Sequence, residues 1–125
     1  MYDKELTIEI LKQVLNALNT IRRRFEPIKH SDDFISSPEG LEKLDAICMQ
    51  LIAVGESLKK IDKISNQSLF SKYPEINWQG AKAMRDIITH HYFDIDSEVV
   101  FDVCRSKISP MILVIERILT DLDKL

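Results

Sequence analysis

Apolar residues recur along this chain at alternating spacings of three and four, the period of an amphipathic α-helix. The first such run extends from Lys4 to Glu26 and stops at Pro27. Its apolar positions are Leu11, Val14, Leu18, Ile21 and Phe25. The run therefore predicts one long helix with a continuous apolar seam.

A second run begins after Ser36 and Ser37, two candidate N-caps, with Pro38 at the first helical position. Its seam positions are Leu41, Leu44, Cys48, Leu51, Gly55 and Leu58. Two long seams of the same period predict an antiparallel helix pair. Gly55 would allow another helix to approach closely.

The second half of the chain predicts shorter helices. A polar connection from Asp62 to Asn77, which we expect to be mobile, leads to a helix capped by Asn77. Asp94 or Asp96 can cap the next helix, and Ser109-Pro110 predicts a break before a final, almost wholly apolar helix. No run alternates as a strand does. The pattern predicts an all-α protein, an antiparallel four- to five-helix bundle forming a single domain over residues 1–125.

Composition narrows the class of protein. With 125 residues, 45% of them apolar, the chain can bury a core without disulfides or a metal. Cys48 and Cys104 lie in apolar helical patterns without zinc-ligand spacing, so we interpret both as reduced core thiols. We predict no metal site and no cofactor.

Charge and hydropathy bear on partners and location. A formal net charge of −3 argues against a broad basic surface that coats nucleic acid, but it leaves room for a small basic cleft. The N-terminus has mixed charge rather than a signal-peptide pattern, and no apolar run approaches the ~20 residues of a membrane span. We therefore expect a cytoplasmic protein without a membrane partner.

The densest polar chemistry lies between Met84 and Tyr92. Arg85 offers a planar fork of donors suited to a phosphate oxygen, and His90 or His91 can transfer a proton near neutral pH. On a helix, Ala81, Met84, Ile88 and His91 share one apolar face, with Ile87 at its edge. This face is expected to be buried, which favours His90 over His91 as the reactive histidine.

The helical positions also predict contacts within the cluster. Asp86 and His90 form an i, i+4 pair, so Asp86 can orient His90, while Arg85 and Tyr92 lie seven apart on one flank. An ideal helix sets Arg85 and His90 roughly 140° apart, so one straight helix cannot aim both at one atom. Either the helix ends near His90 or a second subunit completes the site.

The spacing Arg-x4-His-x-Tyr, from Arg85 to Tyr92 with a polar residue directly after the arginine, resembles the signature of the HEPN superfamily, specifically its small HepT-like toxins. The segments 73–78 and 93–96 and the pair Gly55-Glu56 also resemble that family, so the likeness covers nearly the whole chain. Two features depart from the commonest pattern: Asp86 stands where Asn is frequent, and His91 also fits a spacing that varies from four to six.

The resemblance implies a metal-independent endoribonuclease, a toxin that dimerises so that two motifs face one cleft on an RNA substrate. In such a site Arg85 stabilises the phosphate charge and His90 is the general acid or base. Asp86, Tyr92 and Glu56 support them, with Glu56 reaching Arg85 or a partner chain. The resemblance also implies a minimal nucleotidyltransferase as cognate antitoxin, which silences the toxin by attaching AMP to Tyr92.

Two alternatives remain open from the sequence. The chain could be a non-catalytic helical binding subunit of a nucleotidyltransferase, in which Arg85 and His90 contact a nucleotide. Alternatively, Arg85, Asp86 and His90 could form a polar network that holds a dimer together.

Overall fold

The computed structural model describes residues 2–125, and this part of the chain is all-α. It contains five helices: α1 (Lys4–Phe25), α2 (Pro38–Ser65), α3 (Trp78–His90), α4 (Ser97–Ser106) and α5 (Ile108–Asp123). Short 3-10 turns occupy Ser31–Phe34, Phe70–Lys72 and Tyr92–Asp94. No strand occurs within residues 2–125, so the predicted helical bundle is confirmed, with five helices rather than four.

Side-chain caps start the helices where the sequence predicts. The Ser37 hydroxyl accepts a hydrogen bond from the Gly40 N–H at 3.0 Å, with Pro38 opening α2. The Asn77 side chain accepts from the Gly80 N–H at 2.9 Å at the start of α3. Of the two aspartates considered for α4, Asp96 is the cap. Each cap satisfies a backbone donor that has no partner within its helix.

The two long helices form the centre of the molecule, where α1 packs against both α2 and α5. The predicted seam of α1 is buried, with Leu11, Leu18 and Ile21 fully enclosed. The seam of α2 is buried from Leu44 onward, whereas Leu41, in its first turn, is 46% exposed. Other fully buried side chains come from several elements: Phe34, Ile47, Leu58, Ile61, Ile88, Val100, Ile115 and Ile118. Cys48 and Cys104 are buried free thiols, and burial raises the pKa of Cys48 to about 11.

The expected break before the last helix is present, but it lies at Lys107 rather than at Ser109-Pro110. Helix α4 ends at Ser106, its C-cap Lys107 donates its N–H to the Val103 carbonyl at 2.9 Å, and α5 begins at Ile108. Pro110 therefore lies in the first turn of α5. A missing N–H costs nothing there, because no intrahelical acceptor exists for it.

The connection between α2 and α3 is anchored rather than loose. The Tyr73 hydroxyl of the connection donates to Asp121 of α5 at 2.6 Å. Glu75 of the connection forms an ion pair with Arg117 of α5. Trp78 donates through Nε1 to the Tyr73 carbonyl at 2.8 Å and stacks on Phe70, with centroids 4.1 Å apart. These contacts fix the start of α3 relative to α5.

Across residues 2–125, every helix is too short or too polar to traverse a lipid bilayer.

Candidate functional site

The motif lies along the contact between α2 and α3, which pack side by side in opposite directions. Near the start of α3, Lys82 forms an ion pair with Asp62 of α2. Just past the end of α3, the Tyr92 hydroxyl donates to Asp45, seventeen positions earlier on α2 than Asp62. Polar contacts at both ends therefore fix the register of the two helices.

Gly55 determines how closely the two helices approach. A Cβ placed on Gly55 would lie 2.6 Å from the Arg85 Cβ and 3.4 Å from the Ala81 carbonyl oxygen. Real Cβ atoms do not approach that closely, so only glycine allows the α3 backbone and the Arg85 side chain this position. The predicted role of Gly55 as a site of close helix approach is confirmed, and the approaching helix carries the motif.

The Arg85 guanidinium lies between two carboxylates. Its Nε forms an ion pair with Glu56 of α2, and its Nη1 donates to Asp86 Oδ1 at 2.9 Å. These anions raise the pKa of Arg85, chiefly through the hydrogen bond with Asp86. The side chain remains 34% exposed, so it is held by protein contacts and is still open to a ligand. Of the two positions expected for Glu56, the structure shows the one on Arg85.

Asp86 joins Arg85 to a second cation, Lys59 of α2. Lys59 Nζ lies 3.1 Å from Oδ1 and 3.3 Å from Oδ2 of Asp86. The hydrogen bond from Arg85 first, and that from Lys59 second, lower the pKa of Asp86. The expected Asp86–His90 pair does not form: both hydrogen-bond partners of this carboxylate are the two cations. Each of them offers it a full positive charge at short range.

The two histidines stand at the end of α3. His90 is the last helical residue and is exposed, while His91 has left the helix with φ −128° and ψ 33°. The expected burial of His91 beside Met84 and Ile88 is wrong, because the helical face on which it was placed ends one residue earlier. The helix does end near His90, as one of the two solutions required, but His90 is itself still helical. Its angular separation from Arg85 of roughly 140° therefore remains.

Tyr92 lies in the turn Tyr92–Asp94, not on α3 with Arg85 as the helical spacing suggested. It is 47% exposed, and its hydroxyl donates to Asp45 Oδ1 at 3.1 Å, a contact that raises the pKa of the phenol. The adjacent Phe93 is 98% exposed, with its ring edge against Tyr92. The phenol is accordingly accessible from solvent.

Lys59 and Asp45 belong to this site, and the sequence reasoning missed both. Lys59 is three residues after Glu56 and Asp45 is eleven before it, so all three share one face of α2. The shared face of these three residues is visible in the sequence. It does not by itself indicate a site, because charged residues at helical spacing are typical of any solvated helix face.

The cluster consists of cationic and anionic side chains in mutual contact. Within residues 2–125, no group of three or more His, Cys, Asp and Glu side chains is placed to hold a metal ion. Instead, two cations and two carboxylates alternate in the order Lys59, Asp86, Arg85, Glu56. This arrangement fixes a guanidinium whose free N–H groups can bind a phosphate oxygen.

A largely apolar pocket of about 400 Å³ lies on the opposite side of α3 from this cluster. Ala81 and Met84 of α3 line it together with Leu18, Val54 and Met111 of other helices. Helix α3 therefore packs chiefly on α2, and a gap separates part of it from α5.

Comparison with known proteins identifies the family of the chain. Residues 14–118 match the family described as "Ribonuclease HepT-like". Several proteins of Methanocaldococcus jannaschii are similar to the chain, including the three described next. "Putative RNase MJ0127" is 32% identical over 78 residues, 62% of this chain and 61% of that protein. "Putative RNase MJ1216" is 26% identical over 108 residues, 79% of this chain and 86% of that protein.

The third relative, "Gamma-glutamylcyclotransferase and putative RNase MJ0434", is 28% identical over 114 residues, 91% of this chain but 48% of that protein. The chain thus spans only part of the first and third relatives. No solved structure gives a significant match. The family match covers most of the chain and includes every residue of the cluster, from Asp45 to Tyr92. The chain belongs to the HepT-like ribonuclease family.

Proposed function

We propose that this chain is a metal-independent endoribonuclease, the toxin of a toxin–antitoxin pair, and that it cleaves RNA by transesterification. The observation that carries the proposal is the position of Arg85, which Glu56 and Asp86 hold while its side chain remains 34% exposed. A guanidinium oriented before substrate arrives suits the stabilisation of a charge that develops on phosphoryl oxygens. Supporting it, the relatives named above carry ribonuclease names.

The reaction begins at the ribose 2′-hydroxyl next to the scissile phosphate. A general base takes its proton, the 2′-oxygen bonds to phosphorus, and the bond from phosphorus to the 5′-oxygen breaks. A general acid gives the departing 5′-oxygen a proton, so the products carry a 2′,3′-cyclic phosphate and a 5′-hydroxyl. His90 supplies the acid–base group, because its imidazole is exposed at the end of the motif helix and an imidazole can both accept and donate a proton.

Arg85 binds the phosphoryl oxygens throughout this sequence. Negative charge accumulates on those oxygens as the 2′-oxygen attacks, and the guanidinium fork can donate to two of them at once. Glu56 and Asp86 act as positioning residues, since their contacts are with Arg85 rather than with His90.

A homodimer completes the site in this proposal. Arg85 and His90 point roughly 140° apart on α3, so the two groups meet at one phosphate if each copy contributes to a shared cleft. Exposed apolar side chains beside the motif support such an interface. Ile87 is 48% exposed, Phe93 98% and Met49 65%. Each copy acts as one HEPN domain over residues 1–125, in the cytoplasm.

Oligomeric state tests this part of the proposal separately. We expect a dimer by light scattering, which Ile87→Glu dissociates by placing a charge in the interface. The matched control is Leu113→Glu on α5, where the native side chain is 68% exposed. A monomeric wild-type protein, or dissociation by Leu113→Glu alone, would contradict an interface at the motif.

Silencing by a cognate nucleotidyltransferase is the remaining part of the proposal. Tyr92 is accessible, and its hydroxyl has one recorded hydrogen-bond partner, Asp45. The hydroxyl oxygen attacks the α-phosphorus of ATP, pyrophosphate leaves, and the tyrosyl proton passes to solvent or a base. The bulky anionic adduct then lies at the end of the motif helix beside His90, where it obstructs RNA.

The decisive assay is cleavage of total RNA in excess EDTA by protein produced without a nucleotidyltransferase. We expect wild type and His91→Ala to cleave and His90→Ala to lose activity about 100-fold or more. An RNA with a 2′-deoxy residue at the cleaved position should resist. If unmodified wild type does not cleave RNA under any of these conditions, the proposed nuclease is wrong and the nucleotidyltransferase-binding subunit takes its place.

A further inference from the structure

A shallow cleft of about 410 Å³ lies where the C-terminal end of α2 meets the start of α3. Six side chains line it: Lys59, Asp62, Lys63, Asn66, Gln67 and Lys82. Three of them are cationic, two are amides, and Asp62 is the one carboxylate. For a chain whose formal net charge is −3, this is an uneven concentration of positive charge.

The cleft is continuous with the motif. Lys59 lines the cleft and also contacts Asp86, which in turn contacts Arg85. Along α3 the order is Lys82, then Arg85, then His90, so the cleft lies on the opposite side of Arg85 from His90. Lys82 and Asp86 are one helical turn apart, about 6 Å along the axis. A strand held at Arg85 can therefore continue directly into the cleft.

The lysines differ in how free they are to bind a ligand. Lys82 pairs with Asp62, and both side chains are largely enclosed, at 17% and 14% exposure. Lys63 is exposed and forms no ion pair with any residue of the 2–125 segment. Lys63 is therefore the lysine whose charge is fully available, while the charge of Lys82 is balanced by Asp62.

The backbone of the cleft is occupied by its own hydrogen bonds. Asn66 and Gln67 have left-handed φ values of 52° and 62°, and the Gln67 N–H donates to the Asp62 carbonyl at 2.8 Å. These bonds close the C-terminus of α2, which is the negative end of the helix dipole. Any attraction for an anion must therefore come from the lysine side chains, with the side-chain amides as additional donors.

We propose that this cleft, called here the lysine cleft, binds the phosphates of the RNA strand on the side of the scissile phosphate away from His90. The inference rests on the proposed ribonuclease function and adds a substrate-binding surface to it. Single-stranded RNA is the ligand class because a positive groove that follows the backbone is the usual device for holding such a strand. Lys63 contacts a phosphate directly, and Lys59 joins that contact to the Arg85 site.

Lysines near a helix C-terminus also complement the helix dipole, so the test must separate ligand binding from stability. We would measure binding of a fluorescent single-stranded RNA, about 12 nucleotides long and 2′-O-methylated throughout, by anisotropy. The methyl groups block transesterification, so binding is measured without cleavage. Titrations over about 50 to 200 mM salt give the slope of log K against log salt, which counts phosphate contacts.

The informative variant is Lys63→Gln, and the matched control is Lys12→Gln on the exposed face of α1, which makes the same change in charge. We expect Lys63→Gln to weaken binding and reduce the slope by about 0.7, the value for one phosphate contact on a single strand. Lys12→Gln should leave the slope unchanged. Equal slopes for wild type and Lys63→Gln, or equal losses in both variants, would overturn the lysine cleft.

Cleavage of unmodified RNA, measured separately, distinguishes the two proposals. If wild type cleaves RNA and the salt slope of Lys63→Gln is unchanged, the proposed role of the lysine cleft is wrong and the proposed nuclease function stands. If the salt slope of Lys63→Gln is reduced but wild type cleaves no RNA, the lysine cleft is a phosphate-binding surface and the proposed nuclease function is wrong.

Discussion

Gly55 and Arg85 are in such close contact that a Cβ on Gly55 would lie 2.6 Å from the Cβ of Arg85. We expect Gly55→Ala to push α3 away from α2 and move the Arg85 guanidinium from between Glu56 and Asp86. Overpacking costs about 1–3 kcal/mol, and the gain in helix propensity of about 0.5–1 kcal/mol offsets part of it. Denaturant unfolding should show a net loss of stability, accompanied by reduced cleavage.

The control for this prediction is Ala53→Met, which enlarges an exposed residue on the same helix. It should leave both properties near the wild-type values. A Gly55→Ala protein that is as stable and active as wild type would show that the close contact is not needed.

Arg85 provides a second prediction. Arg85→Ala should lower kcat/KM for RNA about 100-fold or more, because a fixed donor to the developing charge is lost. Arg85→Lys should recover little of it, since an ammonium cannot donate as a planar fork. Arg105→Ala, which removes an exposed arginine paired with Asp102 on α4, is the control and should cleave normally. If Arg85→Ala instead dissociates the dimer, the cluster holds subunits together rather than catalysing.

Tyr92→Phe tests the modification site. The variant keeps the ring and loses the hydrogen bond to Asp45, so the free energy of unfolding should change by less than about 1 kcal/mol. Incubated with ATP and the cognate nucleotidyltransferase, wild type and Tyr2→Phe should gain the mass of an adenylyl group, and Tyr92→Phe should not. Adenylylation of Tyr92→Phe to the wild-type extent would assign the modification to another residue.

Tyr73 predicts a response to alkaline pH. Burial first, and then the hydrogen bond to Asp121, raise the pKa of its phenol to about 12. The folded protein therefore holds this proton more tightly than the unfolded chain, in which the pKa is about 10. The contribution to stability is complete below pH 10 and is lost as the pH rises through 12. The free energy of unfolding of wild type, measured from about pH 9 to 12, should fall over this range. The fall should be smaller in Tyr73→Phe.

The helices were predictable because each carries its own pattern. The seams of α1 and α2 and the caps Ser37, Asn77 and Asp96 are local features, and local features can be read without knowing the partner helix. Pro110 was misjudged for a related reason. Proline suits either a helix start or a break, and the bond from the Met111 N–H to the Lys107 carbonyl shows that α5 begins before Pro110.

The partners within the site were less predictable because they come from two helices. The i, i+4 spacing on α3 indicated that Asp86 reaches His90, but Lys59, 27 residues away in sequence, is the closer partner in space. The position of His91 failed because the helical face was extended one residue past the end of α3. The contact of Glu56 with Arg85 was foreseen as one of two options, and the glycine beside Glu56 explains it: that glycine lets α3 come close enough.

The one-sided packing of α3 has a consequence for heating. This helix rests on α2, while the pocket of about 400 Å³ deprives part of its other face of neighbours. Segments with fewer apolar contacts open at lower free energy than the core around them. As temperature rises, α3 should therefore separate from the bundle while α1, α2 and α5 remain assembled. The proposed ribonuclease activity should then be lost at a lower temperature than the rest of the fold.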